Sequence, residues 1–391
     1  MAQIIPITGT AQPELSAFDT TMLALMSQYH VPGAALAVAH NGKLVFARGY
    51  GYANQASQTP VQPYSLFRIA SITKPVVASA ILKLVEHGQL SLNDHAFQIL
   101  SDLQPLPGAT EDPRVAQITI QELLNHTSGW YGEADGTGYD PMFDVVNIAR
   151  VAGITPPADP RTIIRYMLGR PLDRDPGTYT SYLNFGYCVL GQVIQKVSGE
   201  NFESFVSETV MVPLGSNRSQ FGSTLTPLSG EVTYYDYPGA PLVMSVFPSA
   251  SLVPAPYGGF SLEANHGNGG MVSSTIELLR FLTSANGSRQ PPLFATAVMG
   301  FPGYVPPWGP GWNWIFHGSL PGNNSGLLLM SDQTTICYLT NTRPQTSDQF
   351  FSDFDNELTA DATNVQSWPV NDLFPQYQGL PKQRVGQLTS Q

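Results

Sequence analysis

Ser71, Ile72, Thr73 and Lys74 put a hydroxyl and an amine three residues apart. On a helix such positions share a face, so the two groups meet if a helix begins at or beside Ser71. A serine hydroxyl is a poor nucleophile at neutral pH and needs a neighbouring base. A lysine can be that base only when neutral, and both burial and the positive end of a helix dipole push it that way. Lys74 lies in an apolar run where a solvated amine is out of place, and of the five lysines it alone follows a serine by three residues. Against this stands the plainer reading of any Ser-x-x-Lys, a helix-capping serine followed by a solvated lysine. A second group is Tyr182-Leu183-Asn184, just ahead of another apolar stretch. A tyrosine hydroxyl facing a Ser–Lys pair can pass a proton to a leaving group. An asparagine amide can accept from the lysine and donate to a carbonyl. A lone tyrosine is more often core or surface, so Tyr182 depends on its company. His126 also invites a catalytic role, but a Ser–Lys–Tyr set leaves it no task. No Gly-x-Ser-x-Gly occurs, so a nucleophile elbow is not supported.

Two helices must position these groups. SITKPVVASAILKLVEHGQL (71–90) reads as a helix with an apolar face. Pro75 is tolerable only in its first turn, which places Ser71 at or next to that turn. FGYCVLGQVIQKVSG (185–199) reads as the second. Further helices are expected at 13–30, 118–126, 161–168, 201–211 and 275–285. Residues 34–40 and 43–53 read as strands joined at Asn41-Gly42, a two-residue hairpin signal. Strands return at 312–322, 325–332 and 334–342. Residues 129–160 form the longest Pro/Gly-rich connection, expected as a lid or pocket wall. From about 360 the chain is polar and is expected to wrap the surface or fray. This order implies an α+β fold: an antiparallel sheet flanked by helices, with a mostly helical lobe inserted. The expected division is 1–75 with 226–391 for the sheet, and 76–225 for the helices. A groove between lobes is where a small-molecule site tends to lie.

With 391 residues the chain is long enough for two lobes. Hydrophobic residues make up 42%, while charged residues make up only 12%, against a typical figure of about 25%. So sparing a use of charge leaves room for a homo-oligomer. The net charge of −11 lacks the basic footprint that nucleic acid or an anionic membrane requires. Cys188 and Cys337 lie far apart in apolar surroundings and read as small buried hydrophobes. No cluster has zinc spacing, and no metal or organic cofactor is implied. The N-terminus lacks the features of a signal peptide, and no run is long enough to span a membrane. The chain as written reads as cytoplasmic, or as periplasmic or secreted if a signal has been removed.

SITK, followed by Tyr-x-Asn between PGTxxSY and GYxxLG, resembles the first two motifs of the serine β-lactamase and penicillin-binding-protein family. That family includes class C β-lactamases, D-alanyl-D-alanine carboxypeptidases and β-lactamase-like carboxylesterases. HVPGAALAVAHNGKLVFARGYGYAN, LFRIASITKPVVASAILKLVEHGQLSLND, ITIQELLNHTSGW and GNGGMVSSTIELLRFL are similar to further segments of it. The resemblance runs from about residue 15 to 345. It implies a β-lactamase/transpeptidase-like fold and an acyl-enzyme mechanism, with Ser71 as nucleophile, Lys74 as base and Tyr182 as proton shuttle. It also implies Asn184 as a substrate-amide contact, and the backbone N–H groups of Ser71 and Ser319 as oxyanion donors.

The family's third motif, Lys-Thr-Gly or His-x-Gly, is where this sequence departs. Aligned without gaps through Gly-Ser-Leu-Pro-Gly, Phe316 takes the cationic position and His317 the middle one. Aligned by the histidine, the strand reads His317-Gly318-Ser319. Either way His317 and Gly318 are expected to line the substrate site, and no lysine is present to hold a substrate carboxylate. Arg343 remains available for that task. Trp130, Tyr131, Trp308, Trp312 and Trp314 would suit an apolar pocket or the core. The resemblance therefore implies a carboxylesterase acting on small acyl esters. The alternative is a D-amino-acid peptidase, a D-alanyl-D-alanine carboxypeptidase or a weak class C-like β-lactamase. A third reading, a family scaffold kept only for binding, has the complete Ser–Lys–Tyr set against it.

Overall fold

A computed structural model of the chain describes residues 5–132, 139–249, 251–287 and 314–380. The first helix, α1 (Ser16–Gln28), leads into the strands β1 (Gly33–His40) and β2 (Lys43–Asn54), which pair antiparallel around Asn41-Gly42. Both residues of that turn have positive φ, the conformation such a hairpin needs. A short strand β3 (Phe67–Arg68) precedes the nucleophile helix α2 (Thr73–Glu86). Residues 73–214 then hold α3 (Ile120–Leu124), α4 (Val145–Ala152), α5 (Pro160–Leu168), α6 (Asn184–Ser198) and α7 (Phe202–Val206). The chain returns through β4 (Met271–Ser273) and α8 (Thr275–Gly287). It ends in the strands β5 (Trp314–Leu320), β6 (Asn323–Leu329) and β7 (Thr334–Thr340) and the helix α9 (Ser347–Thr363).

β7 pairs antiparallel with β1, so the two ends of the chain close one sheet, with β2 beyond β1 and β5 last on the other side. Alternation along the strands builds two cores, because successive side chains point to opposite faces. Leu36 and Val38 of β1, with Ile336 and Tyr338 of β7, pack on α1 and α9. Ala35, Ala37 and Ala39, with Cys337 and Leu339, face α8 and the helical region. Phe350, Phe354 and Leu358 of α9 recur at helical spacing and are fully buried against the outer face of the sheet. The tail does wrap the surface as far as it is described. Leu373 N–H donates to the Leu44 carbonyl, and Trp368 stacks on His40 at 4.5 Å. Cys188 and Cys337 are free and buried.

Two elements depart from the expected pattern. The long connection at 129–160 contains α4, whose Val145, Ile148 and Ala149 belong to the main core. α9 occupies a stretch between the last strand and the tail to which the sequence reading assigned no element. Among the described residues, no helix is long and apolar enough to cross a membrane, and no acidic, His or Cys cluster could hold a metal ion.

Gly326 of β6 lies opposite Tyr338, and a Cβ there would fall on the Tyr338 ring. Gly326→Ala should therefore overpack the outer core and cost about 1–3 kcal/mol. An unchanged thermal midpoint would mean that the sheet opens to accept a methyl group.

Candidate active site

The segment that carries the nucleophile is held from every side. Arg68 N–H donates to the Tyr234 hydroxyl, Ile69 N–H to the Met271 carbonyl, and Asn323 Nδ2 to the Arg68 carbonyl. The Ile69 carbonyl accepts from Ser325 Oγ on β6 at 2.9 Å. This grip fixes Ala70 at a φ of 46°, a left-handed conformation that costs a non-glycine residue about 1–3 kcal/mol. Ser71 follows on a single turn of 3₁₀ helix, Ala70–Ile72, that feeds directly into α2. Ser71 is therefore at the helix start, as Pro75 requires.

Lys74 is completely buried in the first turn of α2. Its Nζ lies 3.0 Å from Ser71 Oγ, 2.7 Å from Asn184 Oδ1 and 2.9 Å from the Asn268 carbonyl. Burial lowers its pKa to about 7, against the opposing pull of Asp140. Half of these amines are thus neutral near neutrality. A neutral amine has two N–H bonds and one lone pair. With Asn184 and Asn268 accepting the two N–H bonds, the lone pair is left for the Ser71 proton.

Tyr182 donates its hydroxyl to Ser71 Oγ at 2.7 Å. Burial raises its pKa well above the ordinary tyrosine value, so it keeps its proton and works as a donor. Asn184, two residues on, opens α6 and turns its amide so that Oδ1 faces Lys74 while Nδ2 donates to Asp140 Oδ2 at 2.6 Å. Thus Ser71, Lys74, Tyr182 and Asn184 form one connected hydrogen-bonded set, although they come from segments about 110 residues apart.

β5 runs past this set. Gly318 packs so closely on the nucleophile turn that a Cβ would strike the Ile69 carbonyl. Phe316 and Trp314 share Gly318's face and belong to the main core, whereas His317 points the other way. His317 is expected to line the substrate site, but the alternation of β5 turns it to the outer face. There its Nε2 lies 2.7 Å from Asp355 Oδ2 on α9 and its ring stacks on Phe351 at 4.1 Å. Asp355 also accepts from the Tyr338 hydroxyl at 2.9 Å. This orientation fits the gap-free register, with Phe316 in the cationic position and Ser319 directly after Gly318.

Three other residues are placed as follows. Trp130 is core, its indole N–H donating to the Arg170 carbonyl, and Tyr131 sits at the surface beside Tyr179. Trp308 and Trp312 lie outside the described residues. Arg343 stands opposite Asp236 in a two-residue parallel pairing. Sequence reasoning missed three contributors: Asp140, the carbonyl of Asn268 and the structural use of His126. His126 Nδ1 accepts from Leu183 N–H at 3.1 Å, its carbonyl accepts from Ser181 N–H, and its ring lies 4.6 Å from that of Tyr182. It grips the Tyr182–Asn184 segment, and burial with the nearby Lys74 lowers its pKa to about 3, which keeps it neutral.

Comparison with known proteins places the chain in a family. The Beta-lactamase family model matches residues 18–358, and the chain belongs to that family. Esterase EstB of Burkholderia gladioli is 31% identical over 234 residues, 58% of this chain and 56% of its own. The protein flp of Staphylococcus aureus is 28% identical over 61% of this chain and 44% of its own. The chain thus spans about half the length of these curated relatives. Of solved structures, the hydrolase EstCE1 matches with a TM-score of 0.66 at 18% identity, covering 89% of this chain and all of that one. The fold is β-lactamase/transpeptidase-like, as the resemblance implied.

If His317 serves the outer face alone, His317→Gln should leave the labelling rate of Ser71 by a fluorophosphonate within about threefold. It should also lower stability by about 1–2 kcal/mol, because buried Asp355 loses a partner. A tenfold slower labelling of a normally folded variant would return His317 to the site.

Proposed function

We propose that this protein is a serine hydrolase that works through an acyl-enzyme on small neutral carboxylic esters. The observation that carries the reading is Ser71 Oγ within hydrogen-bond reach of both Lys74 Nζ and the Tyr182 hydroxyl. In the proposed cycle the neutral Lys74 takes the Ser71 proton as Oγ attacks the substrate carbonyl. The oxyanion meets the backbone N–H groups of Ser71 and Ser319, and Asn184 contacts the substrate. Tyr182 then gives its hydroxyl proton to the leaving alkoxide and is reprotonated by the Lys74 ammonium. Water releases the acyl group by the reverse route. Phe316, buried in an apolar core at the motif's cationic position, supports substrates without a carboxylate to be held. The partial likeness to an esterase supports the same class.

Purified protein should turn over p-nitrophenyl butyrate far faster than nitrocefin or a D-alanyl-D-alanine peptide. Ser71→Ala should remove that activity by roughly four orders of magnitude or more, and Lys74→Ala nearly as much, since the two act as one unit. Tyr182→Phe should slow acyl transfer by roughly 10²–10⁴-fold. Ser71-dependent opening of nitrocefin or release of D-alanine at comparable rates would replace the ester reading with a lactamase or peptidase one. Retained activity in Ser71→Ala would overturn the mechanism.

The base must be neutral to act, so kcat/KM should rise with pH through the Lys74 transition near 7 and fall away below it. A profile flat down to pH 5 would assign the base elsewhere.

A further inference from the structure

Asp140 is the buried carboxylate of the site, and neither the sequence motifs nor the proposed cycle gives it a task. It is 7% exposed and caps the 3₁₀ turn Pro141–Phe143, with Oδ1 accepting from Met142 N–H at 3.0 Å. Its other oxygen, Oδ2, accepts from Asn184 Nδ2 at 2.6 Å, and Asn184 Oδ1 accepts from Lys74 Nζ at 2.7 Å. The carboxylate is thus joined to the lysine amine through one side-chain amide. An amide has a donor end and an acceptor end. A carboxylate accepts only, so it fixes which end of Asn184 faces which neighbour.

We propose that Asp140 is a positioning residue: it locks the Asn184 amide with its oxygen toward Lys74 and, through its negative charge, sets how readily Lys74 gives up its proton. The inference rests on the Ser71–Lys74 reading above. The groups around Lys74 leave this role to Asp140. From the 3₁₀ turn that leads into α2 comes the Ser71 hydroxyl. From the loop after α3 comes His126, whose own pKa burial and the Lys74 charge hold far below neutrality. From the α6 region come Tyr182 and Tyr187, whose rings lie 4.8 and 5.8 Å from Nζ and which burial keeps protonated. Cys188, on the same helix, is held as a thiol by burial. From His266–Gly269 comes only a carbonyl. Asp140 is the charge that opposes the desolvation of the Lys74 ammonium. Without it the buried amine would lose its proton at lower pH and would be a weaker base once free. With it, the amine stays basic enough to take the Ser71 proton yet is half neutral near pH 7.

Two variants test the charge and the amide lock. Asp140→Asn removes the charge and keeps a single oxygen, which holds Asn184 Nδ2 only if the NH2 end replaces the acceptor at Met142 N–H. Asp140→Ser keeps a cap for Met142 N–H but is too short to reach Asn184. The pH profile of kcat/KM on p-nitrophenyl butyrate is measured for both, with Ser71→Ala as control. Asp140→Asn should shift the acid limb to lower pH by roughly one unit or more, the effect of one charge two hydrogen bonds away at an effective dielectric near 20. Asp140→Ser should shift it in the same direction and also lower the plateau at least tenfold, because the amide is then free to turn. The proposal is overturned if the acid limb of Asp140→Asn coincides with that of the parent or moves upward. It is equally overturned if Asp140→Ser keeps its plateau within twofold. Should Asp140→Asn fail to fold, the limb and plateau of Asp140→Ser decide alone. Substantial activity in Ser71→Ala would instead bring down the reading of the site itself. An inactive Ser71→Ala beside unshifted Asp140 variants would sink only the present inference.

Discussion

The arrangement around the nucleophile depends on keeping one amine out of water. An unfolded lysine holds its proton up to about pH 10.5, whereas Lys74 in the fold releases it near 7. The unfolded chain therefore binds the proton first as pH falls. The penalty on folding grows from pH 10.5 downward and is complete below 7, where it amounts to about 5 kcal/mol. That is a large share of the roughly 5–15 kcal/mol by which domains are stable. It is offset by burial elsewhere. Nearly every residue of α2 from Thr73 to Leu84 is in the core, and both faces of the sheet are covered. The burial that depresses the lysine is the same burial that holds the helix in place.

Burying the amine would be ruinous if its hydrogen-bonding capacity were unmet, because an unsatisfied polar group in the interior costs more than a bond returns. The three acceptors come from Ser71, from Asn184 110 residues on and from Asn268 194 residues on. The approaches of Asn184 and Asn268 are not local, so the topology has to deliver them. Closing the sheet between β1 and β7 brings β5 and β6 alongside β3. From there Ser325 and Asn323 grip the carbonyls of Ile69 and Arg68. The same grip sustains the left-handed Ala70, from which the first turn of α2 starts. A local strain of this kind persists only where the surroundings over-determine it.

What the sequence reveals of this follows from range. Ser71 and Lys74 are three residues apart, and Pro75 bounds where their helix can start, so their meeting is a local matter. The hairpin at Asn41-Gly42 and the helix after Asn184 are likewise written in short patterns. Tyr182 becomes interpretable through the resemblance rather than through its own surroundings. Asp140 carries no mark beyond that of an ordinary helix cap, since its partner lies 44 residues away. The carbonyl of Asn268 is backbone and leaves no trace in residue type. His317 misleads for a different reason. A histidine in the family's third motif draws attention to its chemistry, but strand alternation decides its direction, and Phe316 and Gly318 already occupy the inner face.

The site holds two nitrogen bases, and the geometry divides the work between them. His126 is the conventional choice for a general base, having an ordinary pKa close to neutrality. Here its Nδ1 lone pair is committed to Leu183 N–H, and burial beside a potentially cationic lysine lowers its pKa to about 3. A base that weak cannot take a serine proton at neutral pH. Lys74 starts from a much higher intrinsic basicity, so the same desolvation leaves it near 7, where a base is both free and strong enough to act. Desolvation thus disables the imidazole and tunes the amine. The histidine's fixed neutral state in turn makes it a dependable anchor for the segment that presents Tyr182 and Asn184.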